Sequence, residues 1–189
     1  LLGGDVVLAS DNPPPSAFLA QAQSRGLQSA TSATFPTMAR ASDAQGGAAK
    51  LVALKAVEAG YPLGGQVLLD ATEGSVPAVG IPAAGSVWVD AALLEALGLS
   101  LGDTLQLGQS SLRIAATIAV EPDRGAGFMN FAPRVMLNRA DLDATGLVQP
   151  ASRITYRLAL VGPEAAVAGF SDWAQQRIKS ESLRGVRLE

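Results

Sequence analysis

Arg153-Ile154-Thr155-Tyr156-Arg157-Leu158-Ala159-Leu160-Val161, followed at once by Gly162-Pro163-Glu164, is the stretch on which the fold turns. Ile154, Tyr156, Leu158 and Leu160 alternate onto one face of a strand, and a proline in the first turn then opens a helix. Val167, Phe170, Ala174 and Ile178 continue at helical spacing. Gly169 inside that helix costs roughly 1 kcal/mol against alanine, so packing rather than propensity must hold the segment. Leu183 to Leu188 returns as a strand and completes a β-α-β unit.

The start of the chain repeats the pattern. Asp5 to Ala9 alternates as a strand, and Asp11-Asn12-Pro13-Pro14-Pro15-Ser16 supplies turn chemistry and a cap for a helix through Phe18, Leu19 and Ala22. Arg25-Gly26 ends this helix, and Leu27 to Ala41 reads as an extended strand, kinked where Phe35 precedes Pro36. Two β-α-β units predict an α+β fold: a split β-α-β, ferredoxin-like sheet with its helices on one face and a long insertion between the halves. The predicted boundaries are 1–57 with 151–189 for the split unit, and 58–150 for an inserted small α/β subdomain.

Within the insertion, Gln66 to Leu69 and Ser86 to Val89 read as short strands separated by a Gly/Pro-rich loop from Gly74 to Gly85. Asp90 is placed to cap a helix carrying Leu93, Leu94 and Leu97, with Gly98 as its terminator; Asn138 and Gly146 bracket a second helix. Thr104 to Leu107 and Leu112 to Val120 form a predicted hairpin over Gly108-Gln109-Ser110-Ser111. Trp88 and Trp173 fall at apolar-face positions, as core residues do. A curled sheet accommodates these pieces.

Composition narrows the chemistry. Among 189 residues there is no histidine and no cysteine, so Ser-His-Asp, Cys-His and thiol machinery are excluded, as are zinc sites of the usual ligands. A net charge of −3 with scattered basic residues gives no footprint for nucleic acid or anionic lipid. No run of about 20 residues is free of charge, glycine and proline, so no bilayer span is expected. The opening Leu1-Leu2-Gly3-Gly4-Asp5 lacks an initiator Met and a signal-like stretch, as expected of an excised piece of a longer protein. No phosphate-binding glycine loop precedes a helix. A Ser-Lys dyad at Lys50, Lys55 or Lys179 is singled out by no spacing.

The most distinctive segment is Glu121-Pro122-Asp123-Arg124-Gly125-Ala126-Gly127-Phe128-Met129-Asn130-Phe131-Ala132-Pro133, a glycine-softened loop between two strong strands. Glu121 and Asp123 are the closest carboxylate pair, a geometry a glycosidase could use, set against the plainer reading of solvated loop acids beside Arg124. Phe128, Met129 and Phe131 either meet a partner or return to the core. Glu121, Asp123, Arg124, Phe128 and Asn130 are the candidate partner contacts, and no catalytic, cofactor-binding or metal-ligating residue is assigned. Tyr61-Pro62-Leu63-Gly64-Gly65 reads as a turn with a buried tyrosine.

Taken in order, Leu2-Gly3-Gly4-Asp5-Val6-Val7-Leu8, Phe35-Pro36-Thr37-Met38, Leu54-Lys55-Ala56-Val57 and Tyr61-Pro62-Leu63-Gly64-Gly65 resemble the FtsX-like permeases of ABC transporters. Val87-Trp88-Val89-Asp90, Leu97-Gly98-Leu99, Leu101-Gly102-Asp103, Glu121-Pro122-Asp123-Arg124-Gly125 and Thr145-Gly146-Leu147-Val148-Gln149-Pro150 are similar to the first extracytoplasmic domain of the YbbP-like branch. The resemblance implies a periplasmic domain of MacB periplasmic core type, with a porter-like subdomain and an inserted small subdomain, belonging to an inner-membrane permease. It further implies transmembrane helices in the rest of the permease, a cytoplasmic ABC ATPase subunit, a periplasmic lipase/thioesterase-type partner, and release of lipid-like or hydrophobic compounds. It carries over no catalytic residue. A soluble ligand-binding domain and a carboxylate-only, glycan-active enzyme are the alternatives.

Overall fold

The computed structural model describes residues 3–124 and 131–189. In chain order the elements are β1 (Gly3–Ser10), α1 (Ser16–Ser24), β2 (Gln28–Ala41), β3 (Ala49–Val57), β4 (Leu68–Asp70), β5 (Ser75–Pro77), β6 (Ser86–Asp90), α2 (Ala91–Leu97) and β7 (Thr104–Leu107). They continue with β8 (Ser110–Val120), β9 (Arg134–Asn138), α3 (Leu142–Thr145), β10 (Thr155–Pro163), α4 (Glu164–Ser180) and β11 (Val186–Leu188). The chain divides into two compact units, Leu1–Ala33 with Arg153–Glu189 and Thr34–Ser152.

In the first unit the strands run in the order β11-β1-β10-β2, with β1 antiparallel to both β10 and β11. Strand β10 lies between β1 and β2, and β1 lies between β10 and β11, which is the interleaving of a split β-α-β, ferredoxin-like sheet. Val6 pairs Leu160 and Leu8 pairs Leu158, so the apolar members of each alternation share one face. That face meets Phe18 and Ala22 of α1 and Val167, Phe170 and Ala174 of α4, with Trp173 packed edge-on to Phe18 at 5.2 Å between ring centroids. Gly169 lies beneath the guanidinium end of Arg25, which an added Cβ would push aside. Both helix starts differ from the expectation of a cap before α1 and a proline within the first turn of α4. Pro15 stands at the N-cap of α1 and Pro163 at that of α4, and neither helix has a side-chain cap. Helix α4 instead has Glu164 in its first turn and Arg177 and Lys179 in its last, which suits its dipole.

The second unit closes on itself. Its strands follow the order β2-β3-β9-β6-β8-β4-β5, and β7 pairs both β8 and β2, so β2, β3, β9, β6, β8 and β7 form a ring. Strand β3 is parallel to β9 and β6 to β8, whereas β9 and β6 are antiparallel. Closure leaves these six strands without a free edge inside the ring. Val52, Leu54, Val87, Leu105, Leu107 and Ile114 are wholly buried in it.

The ring accounts for where the units divide. The sequence reading places a boundary at 57/58, but β3 carries its pairing with β9, Ala53 opposite Arg134 through Val57 opposite Asn138, so residues 49–57 sit in the second unit. The expected loop from Gly74 to Gly85 contains β5, which pairs β4. The hairpin turn is tighter than expected, with β8 starting at Ser110. The alternation along β8 breaks where the register against β6 shifts between Val87 and Trp88; past that bulge Thr117 and Ile118 are both buried and Val120 is 48% exposed. Gly98 and Gly146 end their helices in left-handed conformation, and Asn138 accepts the Ala140 amide, all as expected. Asp90 holds the N-cap position of α2 but makes no side-chain cap.

Candidate functional site

The structure gathers the chemistry of the second unit at the start and end of the distinctive loop. Lys55 lies in β3, in the buried run Val52-Ala53-Leu54-Lys55-Ala56-Val57. Glu121 follows the last residue of β8, and Arg134 is the first residue of β9, the strand beside β3. The adjacent strands β3 and β9 thus bring two cations to the same point, and the end of β8 brings the carboxylate.

All three N–H groups of Lys55 are used. Its Nζ donates to Glu121 Oε2 at 3.0 Å, to Asp123 Oδ2 at 2.7 Å and to the Tyr61 hydroxyl oxygen at 3.0 Å. The ammonium also lies 4.6 Å from the centre of the Tyr61 ring. Tyr61 donates its own hydroxyl proton to Asp123 Oδ1 at 2.5 Å. Arg134 donates Nε to Glu121 Oε1 at 2.8 Å and Nη1 to the Ala53 carbonyl at 3.2 Å. Lys55 and Arg134 side chains are each 4% exposed, and that of Glu121 is 0%. Two cations and two carboxylates balance, which is the condition for holding charges away from water.

A second tie adjoins the first. Asp90 accepts Arg124 Nη1 at 3.2 Å on Oδ1 and lies 2.9 Å from Nη2 through Oδ2, while Oδ2 also accepts the Arg134 backbone N–H at 2.7 Å. Arg124 Nη2 donates to the Ala132 carbonyl at 3.2 Å. This is why Asp90 does not cap α2: its carboxylate is turned to the loop. The Tyr61 turn is pressed onto the same place, since a Cβ at Gly65, already at φ +73°, would sit 2.9 Å from Pro122 Cβ. Residues 121–124 and 132–134, the two ends of the loop, are therefore pinned to β3, β6 and each other.

The electrostatics agree with the geometry. Burial alone would raise Glu121, but Lys55 and Arg134 outweigh it and hold its pKa below the ordinary carboxylate value. Burial also opposes ionisation of Asp123, and Lys55 with the Tyr61 hydroxyl bring it below the ordinary value. Burial pushes the Tyr61 phenol far upward, and the charge of Asp123 and its hydrogen bond add to this, so Tyr61 is a neutral donor. Arg124 is raised, its bonds to Asp90 outweighing burial. A glycosidase pair needs one carboxyl kept protonated near neutrality. Glu121 and Asp123 are both driven toward the anion, so this pair lacks that acid. Lys55 has no serine partner among the described residues and its Nζ is fully engaged.

The plainer reading of Glu121 and Asp123 as solvated loop acids is corrected for Glu121, whose side chain is 0% exposed because it neutralises two buried cations. Glu121 is therefore an internal anchor, whereas the Asp123 side chain remains 44% exposed and that of Arg124 29%. Phe128, Met129 and Asn130 lie outside the described residues; Phe131 is 89% exposed. Sequence reasoning missed Lys55, Arg134 and the role of Asp90. A signal existed for the first two: a lysine within a β-apolar run, and an arginine opening Val135-Met136-Leu137, both demand a buried anion.

No protein-family model matches the chain. The ABC transporter permease YbbP of Escherichia coli (strain K12) is 38% identical over 180 residues, covering 95% of this chain and 21% of that protein. The extracellular domain of the ABC-type transporter YknZ from Gram-positive bacteria superposes with a TM-score of 0.63 at 9% identity, covering 98% of this chain and all of that one. The periplasmic region of MacB from Actinobacillus actinomycetemcomitans gives a TM-score of 0.53 at 9% identity, covering 98% of this chain and 87% of that one. The fold is thus that of the extracellular and periplasmic domains of ABC-type transporters. The chain is a homologue of one segment of the ABC transporter permease YbbP. It spans about a fifth of its permease relative (21%), and no helix among its described residues is long and apolar enough to cross a membrane.

Proposed function

We propose that the chain is a non-catalytic periplasmic domain of an inner-membrane ABC permease. In this reading it couples ATPase-driven motion to a periplasmic partner, or to export or extraction of a hydrophobic or lipid-like substrate. The observation that carries the reading is the 38% identity to a permease over nearly the whole chain. The partners that follow are the transmembrane helices of the permease, a cytoplasmic ABC ATPase and a periplasmic protein of lipase or thioesterase type. The anchored loop supports a mechanical role, because Asp123, Arg124 and Phe131 are presented on a base that side-chain ties hold to the ring. Phe128 and Asn130 belong to the same proposed contact segment.

Alkaline phosphatase fused within this segment of the full-length permease tests the location. Active phosphatase is expected, and an inactive, stably expressed fusion overturns the reading. Coupling is tested by spin labels at residue 131 and in the membrane portion of the permease assembled with its ATPase. Their distance should change on adding ATP; an identical distance with and without nucleotide removes the mechanical role.

A further inference from the structure

We infer that Lys55, aided by Tyr61, is the positioning residue of the contact loop, setting where its first turn, residues 121–124, stands on the ring. This rests on the loop being the working surface proposed above and adds which residue fixes its first turn. Three observations carry it. Among the described residues Lys55 alone reaches both carboxylates of the loop's first turn, Glu121 at 3.0 Å and Asp123 at 2.7 Å. It does so from a strand across the ring, so the two bonds join segments 66 and 68 residues apart in the chain. The anchored side of the bond is buried and the presented side is not: Lys55 is 4% exposed, Asp123 44% and Phe131 89%.

A folding role alone would require only that the buried charges balance, which Arg134 with Glu121 and Lys55 with Asp123 already achieve. The second attachment of Asp123, to the neutral Tyr61 hydroxyl, goes beyond what neutrality demands, and together with Lys55 Nζ it holds residues 121–124 in one place. Tyr61 is in turn fixed by the turn packed against Pro122. Force applied at the exposed side of the loop passes through these bonds into β3.

The chain has no cysteine, so labels at Phe131→Cys and Gln109→Cys, both on the second unit, report this position in an otherwise unlabelled background. The test variant is Lys55→Met with Asp123→Asn, which removes the tie and keeps the buried charge balanced. The 109–131 distance distribution, measured by pulsed electron spin resonance on the 189-residue chain, should be narrow in the parent and at least about twofold wider in the variant. The variant should still show a cooperative urea transition. An unchanged width in the folded variant overturns the inference. If the double variant does not fold, Tyr61→Phe takes its place: it removes one of the two holds on Asp123 and should widen the distribution, and an unchanged width overturns the inference equally. Nucleotide-dependent movement of residue 131 in the full permease tests the proposed function separately, so either idea can fail with the other standing.

Discussion

Replacing Glu121 by glutamine tests whether the buried charge set governs the second unit. The glutamine keeps the shape and one acceptor oxygen but leaves Lys55 and Arg134 facing Asp123 alone, an excess positive charge at a place where the Glu121 side chain is 0% exposed. Removing one partner of such a pair costs about 3–5 kcal/mol, because the other charge stays buried without compensation. Glu58 provides the control. It meets Arg139 at 3.5 Å with side chains 50% and 38% exposed, so Glu58→Gln should cost about 0–1 kcal/mol. The chain has two tryptophans, Trp88 in β6 and Trp173 in α4, one in each unit. In a Trp173→Phe background, Trp88 fluorescence therefore reports urea unfolding of the second unit. With a urea slope of about 1–3 kcal/mol per molar, Glu121→Gln should lower the midpoint by at least about 1 M. Since both variants share the slope, its shift should exceed that of Glu58→Gln at least about threefold. Equal shifts would refute the reasoning, since burial would then not be what distinguishes the two pairs.

Three further outcomes are expected. Glu121 and Asp123 have folded pKa values below their unfolded ones, so their contribution is complete above about pH 4–5 and drains away as pH falls through the folded values. The Trp88-reported midpoint should thus be level between about pH 7 and 5 and drop below about pH 4; a loss between pH 7 and 5 would contradict this. Asp90→Asn keeps a residue that caps helices well but gives up the ion pair with Arg124, so it should destabilise by about 1.5 kcal/mol, where a capping role would make it neutral. Gly169→Ala should stabilise the first unit by up to roughly 1 kcal/mol in thermal unfolding followed by Trp173, because the added methyl meets only the guanidinium end of Arg25, which can swing aside; a loss of stability would contradict this.

The first unit was largely legible because its signals are periodic. Strand β10 alternates and α4 repeats at helical spacing, so the sequence carries both the elements and the faces they bury. The second unit was less so. Strand β3 buries every residue from Val52 to Val57, lysine included, and a strand covered on both faces loses its alternation. Ring closure depends on Ala39 and Ala41 of β2 meeting Leu107 and Leu105 of β7, and small side chains leave no local pattern for so distant a pairing. Part of the loop was recognisable from its acids, glycines and aromatics. Its anchoring was not, because the partners Lys55, Asp90 and Arg134 come from three separate strands, and only the folded ring makes them neighbours.

The balance of the inner charge set has an evolutionary corollary. Lys55, Glu121, Asp123 and Arg134 cannot drift one at a time without stranding a partner, so change at these positions should come in compensating steps. The spacings of 66 and 68 residues from Lys55 to the two acids, and 13 from Glu121 to Arg134, therefore form a fingerprint that relatives should keep or lose as a set. A relative that retains Arg134 but replaces Glu121 with a neutral residue should be found to have surrendered Lys55 or gained an acid elsewhere around it.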